Sequence, residues 1–154
     1  MAAFYLDSSA IVKHYVNEAG TAWVQSLIPP AAPNSIQIAR IAGVEVVAAL
    51  ARRQRGGSIS VSDAAIAITD FRHDFDHTFR VIAMTPKLLY LAMDMAEKHG
   101  LRGYDAVQLA GACAVHVRRS LRRATPLVFV SADAGLNAAA QNEGLAVDDP
   151  NLHP

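Results

Sequence analysis

Short apolar runs alternate with longer amphipathic stretches along this chain. "AAFYL" (2–6) and "PLVFV" (126–130) are brief and bounded, with little polar alternation, the pattern of strands covered on both faces. "FRVIAM" and "LAVDD" read as further strands. Between them the apolar positions recur at helical spacing: "SSAIVKHYV" places Ala10, Ile11, His14 and Tyr15 on one face. A second helix is predicted around Thr21 to Ile28, after which Pro29, Pro30 and Pro33 reset the chain into "NSIQIAR". "VEVVAALARRQR" is helical up to the Gly56-Gly57 pair, and "SISVSDAAIAITDFRHDF" starts a helix with Ser62 as its cap. "PKLLYLAMDMAEKHG" opens on proline and stops at Gly100; "YDAVQLAGACAVHVRRSLRR" is a long helix with a basic end, and "DAGLNAAAQNEG" is the last. Strands separated by helices predict an α/β fold, a three-layer α/β/α sandwich on a central parallel sheet. Ligands of such sheets bind at the carboxyl ends of the strands.

Composition narrows this picture without redirecting it. The 154 residues are 52% apolar and 18% charged, which suits a single globular domain over 1–154. Fourteen basic residues balance fourteen acidic ones, so any affinity for nucleic acid must come from local patches. The one cysteine, Cys113, lies in an apolar run as a small packed thiol. With no secretory leader pattern and no apolar run of about 18 residues, a cytoplasmic location is expected.

The acids stand out against this background. "AAFYL" runs into Asp7 and "LVFVSA" into Asp133, each beside a serine (Ser9, Ser131); neighbouring strands would bring both carboxylates to one rim of the sheet. Taken singly, each is a helix cap. Glu45, inside "IAGVEVVAAL", needs a partner or a cation, with Arg40, Arg52 or a solvated stripe as the ordinary solutions. Asp105 lies just inside a helix start, where the dipole alone would favour it. Gathered together, four such acids would raise one another's pKa values unless positive charge sat between them. An oxygen-only donor set suits Mg²⁺ or Mn²⁺ rather than Zn²⁺, and the chemistry such sites perform is phosphodiester cleavage.

In "YLDSSAIVKHYVNEAGT", "VEVVAALARRQRGGSIS", "LRGYDAVQLAGA" and "FVSADAGLNAAAQNEGLAV" the chain resembles the PIN-domain ribonucleases, and within them the VapC-type toxins of bacterial toxin–antitoxin systems. The resemblance runs over nearly the whole chain, with "NSIQIARIAG" aligned to the family's second strand. It implies a PIN-like sandwich, Mg²⁺ or Mn²⁺ held by Asp7, Glu45, Asp105 and Asp133, and hydrolysis of RNA. It also implies supporting hydroxyls at Ser9 and Ser131, a homodimer mate, and an antitoxin that covers the site with a basic side chain. In this reading Ser8 or Ser9 caps the first helix and frees Asp7 for the metal.

Substrate phosphates require cations near the acids. Arg40 and Arg102 are the near candidates, "ARRQR" extends the Glu45 helix, and Arg118, Arg119, Arg122 and Arg123 end the Asp105 helix as ordinary complements to its dipole. His73 and His77 in "HDFDH" have metal-ligand spacing but read as a solvated helix end, and His14 as a core-edge residue. Trp23, Tyr15, Leu27, Ile28, Ile66 and Phe71 form either a partner patch or ordinary core. Two other classes compete with the nuclease. A haloacid-dehalogenase-like phosphatase needs a second Asp where Ser9 stands, and a silent PIN-fold module would bind RNA or antitoxin without cutting.

Overall fold

The computed structural model describes residues 1–30 and 32–154. Five strands form one parallel sheet: β1 (Ala3–Leu6), β2 (Ser35–Ala39), β3 (Arg80–Ile82), β4 (Leu127–Val130) and β5 (Ala146–Asp148), in the order β3-β2-β1-β4-β5. The two runs with the purest apolar pattern, β1 and β4, lie side by side near the centre, where both faces must be covered. "NSIQIAR" supplies β2 on the other side of β1.

Helices α1 (Ser8–Tyr15), α2 (Thr21–Leu27), α3 (Ala42–Arg55) and α4 (Val61–His77) cover one face, where Leu6, Ile11, Ile38 and Phe71 are buried together. On the other, α5 (Pro86–His99), α6 (Gly103–Leu121) and α7 (Ala134–Asn142) enclose Tyr5, Leu109, Phe129 and Leu136. The result is the three-layer sandwich. Gly111 lets α6 press onto β1, because a Cβ there would collide with the buried hydroxyl of Tyr5.

Local signals set the helix ends. Thr85 caps α5 ahead of Pro86, and Gly100 closes it in the left-handed region at φ 63°. The cap of α4 is Ser60 rather than Ser62, since a capping oxygen must reach the third helical N–H and Ser60 accepts from Asp63 N. The early-helix apolar residues resolve mainly into core: Leu27, Ile28 and Phe71 are buried, Tyr15 and Trp23 are partly covered, and Ile66 alone of that set is exposed.

Candidate active site

The sheet registers Leu6 of β1 against Val130 of β4, and Asp7 N donates to Val130 O at 3.1 Å. Both strands therefore end level, and the segments leaving them meet at the rim. Asp7 Oδ1 accepts Ser9 Oγ at 2.6 Å and Ala10 N at 3.0 Å, while its Oδ2 accepts Ser131 Oγ at 2.6 Å. Ser131 Oγ accepts in turn from Asp133 N, and Ser9 Oγ from Ala132 N, each at 3.0 Å. Two hydroxyls thus stitch the strand ends together through one carboxylate.

The N-cap of α1 differs from the sequence expectation: it is Asp7 itself, and neither Ser8 nor Ser9 takes that role. The chain leaves β1 in extended conformation at Asp7, so its short side chain folds back on the first turn, and Ser9 sits within that turn to brace it. Asp133 is a cap as well, its Oδ1 accepting Leu136 N at 2.9 Å. Capping and metal binding can still share one residue, since a cap engages one carboxylate oxygen.

Glu45 is partly exposed one turn into α3 and pairs with neither Arg40 nor Arg52; Gln108 Nε2 donates to its Oε1 at 2.8 Å and also to Ser8 Oγ at 3.1 Å. Gln108 is almost wholly buried, and its Oε1 has no partner. Sequence reasoning passed over this residue, although it lies three positions after Asp105 on the same helical face. Asp105, in the first turn of α6, is partly buried.

The electrostatics group the acids in two pairs. Burial pushes the Asp7 carboxyl up to about 6, its three hydrogen bonds opposing the shift and the negative Glu45 adding to it. Burial also raises Asp105, with Asp133 adding to the shift and Arg102 opposing it. Among the described residues, no Lys or Arg forms an ion pair with any of the four. Nor do three acidic, histidine or cysteine side chains converge there into a ready-made metal cage. The donor chemistry fits a hard divalent cation all the same: carboxylates and hydroxyls only, with Arg102 beside Asp105 but no Lys or Arg in an ion pair with any of the four among the described residues.

Beside these groups opens a hollow of about 730 Å³, lined by Ser8, Ser9, Glu45, Arg52, Arg53 and Tyr104 among others. Arg53 is tied to Glu18 at 3.3 Å, as is the buried Lys13 at 3.4 Å, a second residue the sequence did not single out. A smaller hollow holds Arg102, Tyr104, Ile41 and Met84. Arg40 directly follows β2 on the same rim but is exposed and lines neither. His73 and His77 stack at 4.5 Å on the exposed end of α4, with no metal-binding cluster around them among the described residues, and the Cys113 thiol is pushed by burial up to about 11.

No family model matches the chain. Two ribonucleases of Mycobacterium tuberculosis, VapC45 and VapC49, are each 36% identical to it over 115 residues, covering 75% of this chain and 78% of theirs. The structure of PAE2754 from Pyrobaculum aerophilum superimposes with a TM-score of 0.64 at 20% identity, covering 98% of this chain and 91% of that one. A toxin–antitoxin complex from Klebsiella pneumoniae matches with a TM-score of 0.60 at 17% identity, over 97% of this chain and 98% of its own.

Proposed function

The chain belongs to the VapC-type PIN-domain ribonucleases, and from that premise we propose that it is a divalent-metal-dependent endoribonuclease acting as the toxin of a toxin–antitoxin pair. The observation that carries the metal dependence is Asp7: a carboxylate 4% exposed, fixed at both oxygens, and in no ion pair with a Lys or Arg among the described residues. Asp7, Glu45, Asp105 and Asp133 would hold Mg²⁺ or Mn²⁺, which when bound supplies an activated water and neutralises charge on the scissile phosphate.

The chain's own residues prepare that chemistry. Ser9 and Ser131 hold the Asp7 carboxylate in one orientation, and their donated protons favour its ionised form against the cost of burial. Gln108 fixes the Oε1 edge of Glu45 and ties α6 to Ser8 at the start of α1. Arg102 partly opposes the upward shift that burial and Asp133 impose on Asp105, and stands where a substrate phosphate can approach. Tyr104 offers a ring face at the mouth of the hollow, which suits an unstacked base of single-stranded RNA.

An antitoxin partner is supported by the likeness to the Klebsiella pneumoniae complex and by this hollow, whose Val12, Ile41 and Val44 lie between charged groups of both signs, Glu45 and Arg52 among them, a surface that suits the apolar face of an amphipathic segment. Substrate and inhibitor would then compete for the same surface.

The deciding experiment is cleavage of a structured RNA pool by the purified protein with Mg²⁺ or Mn²⁺, with and without chelator, beside Asp7→Asn. Cutting that the chelator stops and the substitution abolishes is the expected result. Identical behaviour of wild type and variant with both metals would leave a protein that binds RNA or antitoxin without cutting.

A further inference from the structure

At the end of the sheet opposite the acids lies a hollow of about 410 Å³ in which Arg80, Arg118, Arg119 and Arg122 converge beside Ile82 and Val115. The helix dipole accounts for the three arginines at the end of α6. It does not account for Arg80, which comes from the start of the edge strand β3. Nor do the side chains serve the helix end: only Arg119 reaches a backbone carbonyl, that of Thr125 at 2.7 Å. Among the described residues none of the four has a carboxylate partner, and no acidic residue lines the hollow. Four permanently charged guanidinium groups drawn from two elements repel one another, and forked donors of this kind match phosphate oxygens.

The hollow is separated from the acids by the length of one helix. It lies along the seam between α6 and β3, and the Arg102–Tyr104 hollow lies at the other end of α6 on the same side of the sheet, next to Met84 just beyond β3. From Asp105 to Arg118 the helix rises roughly 20 Å at about 1.5 Å per residue. A stacked strand at about 3.4 Å per nucleotide covers that distance in roughly six nucleotides.

We propose that this arginine hollow is a second phosphate-binding site, holding the backbone of the RNA strand whose scissile bond lies at the acids. The inference rests on the ribonuclease reading and adds to it a minimum substrate length.

The test measures binding, in chelator, so that it does not depend on cutting. Full-length Asp7→Asn protein is titrated with single-stranded RNAs of four and twelve nucleotides across a salt series, alone and with Arg80→Gln or with Arg118→Gln/Arg122→Gln. Arg72→Gln, on the exposed flank of α4, is the charge-matched control for Arg80→Gln, and Arg72→Gln with Lys87→Gln, at the exposed start of α5, for the double variant. The twelve-mer is expected to bind at least about tenfold more tightly than the four-mer, with a salt slope that the double substitution lowers by roughly 1.4, at about 0.7 per phosphate contact. The preference for the longer RNA should collapse in the arginine variants and persist in the controls. Equal affinity for both lengths, or a length preference untouched by these substitutions, overturns the proposal. So does tighter binding of an acidic peptide than of the twelve-mer at the hollow, which would make it a protein-docking site. Absence of cleavage by the wild type would overturn the nuclease reading alone and leave this result standing.

Discussion

Two carboxylates of this protein show how differently the same group can be placed. Glu143, just past α7, is met by Lys98 Nζ at 2.5 Å and His99 Nε2 at 2.7 Å, and the hydrogen bond from Lys98, then that from His99, hold it below the usual carboxylate range. Asp7 is more deeply buried and meets hydroxyls and a backbone N–H instead, so burial carries its pKa up to about 6. The first site is complete within the chain. The second is satisfied in hydrogen bonds and unsatisfied in charge, and the proposed metal site rests on that difference more than on the number of acids around it.

Asp7→Asn gives the largest separation of the two. It keeps an oxygen for the cap and removes the charge, so RNA cleavage should fall on the order of a hundredfold or more. Stability at pH 8, read from urea unfolding, should rise by about 2 to 3 kcal/mol. An active site that is stabilised by losing its acid is the expected trade. A variant that keeps its activity, or unfolds more easily than wild type, would break the comparison.

A smaller effect is expected from pH alone. The folded value of Asp7, about 6, lies above its ordinary 3.8, so the folded chain holds this proton more tightly than the unfolded one. The stability it contributes is present in full below about pH 4 and is lost as pH rises through 6, with a limiting slope of about 1.4 kcal/mol per pH unit. Comparing urea midpoints of wild type and Asp7→Asn from pH 4 to 7.5 should show this slope only in the wild type. Added Mg²⁺ should offset the loss at the upper end.

Gln108→Leu tests positioning. It frees Glu45 and Ser8 while preserving bulk, and kcat should drop about tenfold with KM nearly unchanged, since the residue touches no substrate. Glu143→Gln is the smallest change, costing up to about 1 kcal/mol because its lysine partner is largely solvent-exposed. Its sign is opposite to that of Asp7: the wild-type contribution is present above the ordinary carboxylate range and lost as pH falls through the lowered folded value. Cleavage should not change.

Much of the fold was legible in the sequence because it depends on local pattern. The order of strands and helices and the proline start and glycine stop of α5 follow from apolar periodicity and turn chemistry, whereas the pairing that brings the Asp7 and Asp133 strands together was only a condition in the sequence and is supplied by the sheet. The residues that escaped depend on pairing across the fold. Gln108 looks like filler in an apolar helix until Glu45 and Ser8, 63 and 100 positions away, are brought to it. Arg80 reads as an isolated surface residue until β3 docks beside the end of α6. The cap assignment failed for a more local reason. Asp7, Ser8 and Ser9 are all competent caps, and only the exact point at which β1 ends decides among them.

The hydrogen bond from Ser131 to Asp7 spans 124 positions. Contacts of such separation form late, after the intervening chain has been made and has collapsed. During synthesis the first helix emerges with only its local partners, Ser9 and Ala10, for its cap acid, and the rim closes only when β4 has been released to pair with β1. This rim is therefore completed late: nearly the whole length must be translated before Ser131 can reach Asp7.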